Sequence, residues 1–86
     1  KSEFFLLLLF SKYIPNETMN TVLNERVLYL RQKLEQFKYD GPVPGNLDAI
    51  RNEKSVSFIR GLASALIETG LNYMEKNRHL LKKKPN

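Results

Sequence analysis

The side chains that could carry out chemistry are few and scattered along this chain. His79 is the only histidine and cysteine is absent, so the usual ligand sets of a zinc site cannot be assembled. The nine acidic residues are dispersed, and no pair of them stands in an arrangement typical of general acid–base catalysis. Ser55, Ser57 and Ser64 have no accompanying base that would activate a nucleophile. The sequence therefore predicts a protein that is not an enzyme and that uses no metal ion and no cofactor.

Two short motifs have simpler structural explanations. Asn16-Glu17-Thr18 matches the N-glycosylation pattern, but such triplets are common by chance, and Asn16 is also a good N-cap for the helix that follows. Gly41 and Gly45 bracket two prolines. Because each proline lacks the N–H group that a phosphate cradle needs, a rigid turn is the better interpretation.

The net charge of +5 belongs entirely to the C-terminal end of the chain. Residues 1–75 contain nine Lys or Arg and nine Asp or Glu, whereas residues 76–86 contain five basic residues and no acidic one. This end is either a contact for nucleic acid or another acidic surface, or simply a solvated terminus. The residues that would make such a contact are Lys76, Arg78, Lys82, Lys83 and Lys84.

The strongest pattern is an uninterrupted run of seven apolar residues from Phe4 to Phe10. Leucine favours helix and none of the seven is β-branched, so a helix over about 3–13 is predicted, ending before Pro15. A helix that is apolar on every face must be covered on all sides. The run is too short to span a bilayer, which needs about 20 residues, and no signal-peptide cleavage pattern follows it.

Two longer helices are predicted from apolar residues that recur at intervals of three and four. One covers about 17–38, and the other covers about 53–77, where Leu71 and Met74 keep the period beyond Gly70. Between them, two glycines and two prolines within residues 41–45 predict a loop. No segment shows the alternation of apolar and polar residues that is typical of a strand.

These elements predict an all-α fold, a small antiparallel bundle of three main helices, with room for a short fourth helical turn after the Pro/Gly loop. We expect residues 1–81 to form the single bundle domain, with the first helix flanked by the other two, and residues 82–86 to form a basic, flexible tail. A coiled coil also fits the second helix, but in a parallel homodimer Arg26 would face Arg31, so packing within a bundle is favoured.

The excess of apolar residues predicts a non-catalytic protein–protein interaction or assembly domain. It would act by burying apolar helix surface against another protein or against a second copy in a homodimer. Since the chain does not begin with Met, we expect it to be excised from a larger protein, and the absence of cysteine favours an intracellular location, in the cytoplasm or the nucleus. The alternative is binding of nucleic acid or an acidic surface through the basic end. The predicted partner-binding residues are apolar in the first helix or small in the last: Phe4, Phe5, Leu8, Leu9, Gly61, Ser64 and Ala65.

Overall fold

A computed structural model of the chain describes residues 3–38 and 52–84. These residues form three α-helices, α1 (Glu3–Leu9), α2 (Asn16–Lys38) and α3 (Glu53–Asn77), and two 3₁₀ turns, Ser11–Tyr13 and Arg78–Leu81. No strand occurs in either of the two described ranges. The prediction of an all-α fold is therefore confirmed, whereas the predicted Pro/Gly loop and the short turn after it lie outside the described residues.

α2 and α3 pack against each other as a helical hairpin. At one end of the hairpin the Arg78 guanidinium donates to the Asn20 and Asn24 side chains, near the start of α2. At the other end the Arg60 guanidinium, in the first half of α3, donates to the carbonyl oxygen of Phe37. The start of α2 thus lies beside the end of α3, and the two helices run in opposite directions.

The centre of the hairpin is small. Over the described residues only Met19 and Leu23 from α2 and Leu71 from α3 are buried, and no polar side chain is buried with them. A fully buried leucine contributes about 1.5–3 kcal/mol, so these three side chains alone contribute much less than the conformational entropy lost when two long helices are ordered. The remaining apolar side chains of the hairpin are half-buried or exposed.

α1 does not occupy the covered central position that its composition predicts. It ends at Leu9, earlier than predicted, because the chain tightens into the 3₁₀ turn and Ile14 then adopts an extended conformation before Pro15. None of its residues is buried, and Leu9 remains 80% exposed. With seven residues it is roughly 10 Å long, about a third of the length of the hairpin helices, so it cannot line them along their whole length.

We expect Leu23→Ala to lower the free energy of unfolding by about 2–5 kcal/mol, because the substitution leaves a cavity in a core that has few other members. Leu28→Ala on the same helix is the matched control, since Leu28 is exposed and alanine is an equally good helix former. Urea denaturation followed by far-UV circular dichroism measures both. Equal destabilisation by the two substitutions would contradict the placement of the core at Leu23.

Candidate interaction surface

α3 is apolar on two different faces. Ile67, Leu71 and Met74 share the side that contains the buried Leu71. At about 100° per residue, a second set of large apolar side chains lies roughly a third of a turn around the helix axis. All members of this set are exposed, and we call them the α3 stripe: Phe58, Ile59, Leu62, Leu66 and Tyr73.

The α3 stripe is large for a surface that faces water. Phe58 is 72% exposed and Leu66 is 65% exposed. Taking the full area of a large side chain as about 150–250 Å², the stripe exposes on the order of 600 Å² of apolar surface. This is at the upper end of the largest apolar patch found on a typical monomer, and patches of this size mark interaction sites.

An open apolar groove adjoins the C-terminal half of the α3 stripe. Its volume is about 670 Å³, and all three helices contribute to its walls. The residues that line it include Phe4, Phe5 and Leu8 of α1, Leu23 and Leu30 of α2, and Leu66 and Tyr73 of α3. Because Leu66 and Tyr73 belong both to the groove and to the stripe, α1 and α3 present one continuous apolar surface.

α1 is attached to α2 through an aromatic side chain and a cation. The Arg26 guanidinium lies 4.6 Å from the centroid of the Phe4 ring and 5.1 Å from that of the Tyr29 ring. Phe5 packs edge-on against Phe4, with ring centroids 5.7 Å apart, but is itself 63% exposed. Phe4 therefore anchors the helix, while its neighbours remain available to another surface.

The residues predicted to bind a partner fall into two places. Phe4, Phe5 and Leu8 come together in the groove, whereas Gly61 and Ser64 line a separate depression near the C-terminal end of α2. A Cβ atom added to Gly61 would meet no atom within 4 Å apart from those of its own helix turn, so none of the other described residues packs closely against Gly61.

Two further predicted residues, Leu9 and Ala65, are both exposed. Ala65 lies at the edge of the α3 stripe, and Leu9 lies at the end of α1 beyond the lining of the groove. The principal members of the stripe, Phe58, Leu62 and Leu66, are absent from the sequence-based selection. Their spacing of four residues indicates that they share one face of α3, but it does not indicate whether other residues cover that face.

Lys83 is fixed to the N-terminal part of the chain. Its backbone N–H donates to Asn16 Oδ1 at 2.9 Å, and Asn16 Nδ2 donates to the Lys83 carbonyl oxygen at 2.8 Å. Its ammonium group donates to the carbonyl oxygen of Ser11 at 2.8 Å and to that of Ile14. We call this set of hydrogen bonds the Lys83 clasp. The Asn16 side chain thus pairs with the segment after α3 and does not cap α2 as predicted.

Arg78 is the second basic residue that is engaged within the chain. Its Nη2 atom donates to Asn20 Oδ1 at 2.7 Å and to Asn24 Oδ1 at 2.9 Å, and its Nη1 atom lies 3.2 Å from a Glu75 carboxylate oxygen. The other members of the predicted basic contact are exposed, namely Lys76, Lys82 and Lys84. Two of the five cations therefore hold α3 and its extension against the N-terminal half of the chain.

Other kinds of site find little support in the described part of the chain. No cluster of His, Asp or Glu there could hold a metal ion. His79 is exposed on the second 3₁₀ turn. None of the described helices combines the length and the apolar character needed to cross a bilayer.

We expect Lys83→Met to detach the turn at Ser11–Tyr13, because the carbonyl oxygens of Ser11 and Ile14 lose a charged donor while the methylene stem is kept. Hydrogen bonds to charged groups contribute about 1.5–3 kcal/mol when buried, and somewhat less here because Lys83 is half-buried. Amide hydrogen exchange should therefore accelerate at Tyr13 and Ile14, whose N–H groups close the turn. Lys84→Met is the matched control; equal exchange in both variants would contradict a structural role for the Lys83 ammonium.

Comparisons with protein-family models, with curated proteins and with solved structures found no match to this chain. Its function must therefore be inferred from its own surface, charges and contacts. The largest feature among them is the apolar surface formed by α1 and the α3 stripe.

Proposed function

We propose that this chain is a non-catalytic assembly domain that buries the surface of α1 and the α3 stripe against another protein or a second copy. The observation that supports this most directly is an imbalance within residues 3–38 and 52–84, where three side chains are buried in the core and a stripe of five large ones is exposed on α3. We also propose that association covers α1 and thereby completes the antiparallel bundle that the sequence predicts. The apolar groove beside α1 is the space that a partner side chain would fill.

The energy available from burying this surface is comparable to the cost of association. At about 25 cal/mol per Å², burial of the roughly 600 Å² of the α3 stripe gives on the order of 15 kcal/mol before costs. Association costs about 4–15 kcal/mol in lost translational and rotational freedom. The stripe can therefore offset most or all of that cost, and exposed side chains of α1 such as Phe5 and Leu9 add to it.

The alternative function, binding of nucleic acid or an acidic surface through the basic end, has weaker support. It would use Lys76, Arg78, Lys82, Lys83 and Lys84, but Arg78 and Lys83 already donate to groups of the same chain. The rest of the chain, residues 1–75, carries no net charge that would extend the basic surface. We therefore retain apolar assembly as the proposed function.

We expect the double substitution Phe5→Ser and Leu9→Ser to weaken association while leaving folding almost unchanged. Both side chains are mostly exposed, and substitutions at exposed positions usually change the free energy of unfolding by about 0.5 kcal/mol or less. Sedimentation velocity over a concentration series measures association, and thermal unfolding measures stability. Phe4→Ser is the matched control, since Phe4 is half-buried beside Arg26 and its loss should lower stability.

Salt dependence separates the two candidate functions. Contacts made by apolar burial are not weakened by salt, whereas phosphate contacts release counterions and lose affinity steeply as the salt concentration rises. We expect the sedimenting mass of the chain to be the same at low and high salt, and a labelled single-stranded oligonucleotide to bind only weakly at low salt. Strong, salt-sensitive oligonucleotide binding without any apolar association would support the alternative.

A further inference from the structure

We propose that the partner of the α3 stripe is a second copy of this chain, paired antiparallel through α3 so that two α2–α3 hairpins form a four-helix bundle. This inference rests on the proposed function and names the occupant of its surface. A single hairpin is one layer of helices, and a helical domain needs a second layer to enclose a core. Two hairpins related by a two-fold axis supply both layers.

The apolar area of one chain matches what a stable dimer requires. A standard interface buries about 800 Å² on each partner, and obligate dimers bury more and are more apolar. The α3 stripe and the exposed apolar residues of α1 together offer on the order of 1,000 Å² per chain, from full side-chain areas of about 150–250 Å². This area exceeds the standard value and reaches the lower end of the range for obligate homodimers.

The two halves of the surface complement each other. The N-terminal half of the stripe carries Phe58, which is 72% exposed, and the C-terminal half adjoins the groove of about 670 Å³. Ala65 is close to the midpoint, so Phe58 and Tyr73 each lie about 11 Å from it along the helix. A two-fold axis near Ala65 therefore places the Phe58 ring of each chain over Tyr73 and the groove of the other.

The helix dipoles of α3 favour the antiparallel arrangement, because opposed dipoles attract and aligned ones repel. The charged side chains do not separate the two arrangements. Lys76 is 18 residues, or five complete turns, from Phe58 and lies on the same side of the helix as the stripe. A parallel pair would bring the two Lys76 ammonium groups together, and an antiparallel pair centred near Ala65 places each Lys76 beside Ser55 and the exposed Lys54.

The first test is the mass of the chain and of stripe variants, measured by sedimentation equilibrium. We expect the unaltered chain to have twice the mass of 10.0 kDa and an unfolding temperature that rises with concentration. Leu62→Lys and Leu66→Lys should each weaken the dimer by about 30-fold or more, as central interface residues do. Ser57→Lys is the control, because Ser57 is exposed on α3 about 140° around the axis from Leu62. A trimer or tetramer, or a Leu66→Lys variant that remains a full dimer, would overturn the inference.

The second test does not depend on variants that weaken folding. Because the chain has no cysteine, Leu66→Cys introduces a single thiol that lies within the α3 stripe and close to the proposed axis. Two thiols join only when their Cα atoms approach to within about 7 Å, so mild oxidation should convert Leu66→Cys, but not Ser57→Cys, to a covalent dimer. Equal cross-linking of the two variants, or none in Leu66→Cys while that variant is dimeric, would contradict the antiparallel pairing.

The outcomes also separate this inference from the proposed function. A monomeric chain in which Phe5→Ser and Leu9→Ser leave folding unchanged would overturn the homodimer alone. The proposed function would then stand with a different protein as the partner of this surface. A dimer that persists in the Leu66→Lys variant would overturn pairing through α3 but keep apolar assembly. A monomer destabilised strongly by the Phe5→Ser and Leu9→Ser substitutions would overturn both, because those side chains would then belong to a core.

Discussion

The structure depends on a constraint at α3, which is apolar on two sides although α2 can cover only one of them. The side that contains Leu71 packs toward Met19 and Leu23, and these three side chains are the whole buried core of the described residues. On the other side, which carries the α3 stripe, the described residues place only the short α1 near one end. A surface helix of a self-contained domain normally has one apolar face. The second face of α3 is therefore the feature on which the proposed assembly function rests.

Polar contacts at the two ends of the hairpin fix its register. Near the start of α2, Arg78 and the Lys83 clasp hold the segment after α3 in place. Near the end of α2, the Arg60 guanidinium donates to the Phe37 carbonyl oxygen at 3.5 Å. The Lys38 ammonium also lies 3.7 Å from the Glu68 carboxylate, but both groups are about half exposed, so this ion pair contributes little to stability. The hairpin is thus aligned by polar groups and stabilised by few apolar ones.

Much of the helical content could be predicted from the sequence, because apolar spacing and the effect of proline act locally. The ends of the two long helices and the continuation of α3 through Gly70 agree with the spacing of their apolar residues. The central position of α1 is not confirmed, because the apolar composition of a helix indicates that it needs to be covered but does not indicate which part of a structure covers it. The α3 stripe was missed for the same reason, since aromatic residues at helical spacing look alike whether they line a core or a surface. The Lys83 clasp had no sequence signal, because it joins side chains to backbone groups about 67 residues apart.

The Lys83 clasp joins two parts of the chain that are far apart in sequence, and this has a consequence for folding. Contacts between residues far apart in the chain require the intervening segment to be ordered first, since closing a long loop is entropically unfavourable. The clasp can therefore form only after α2 and α3 have packed against each other and brought Asn16 beside Lys83. In thermal fluctuations the order is reversed. The few hydrogen bonds of the Lys83 clasp break before α2 and α3 separate. The turn at Ser11–Tyr13 is accordingly secured late and released early, whereas Phe4 can pack beside Arg26 as soon as α2 has formed.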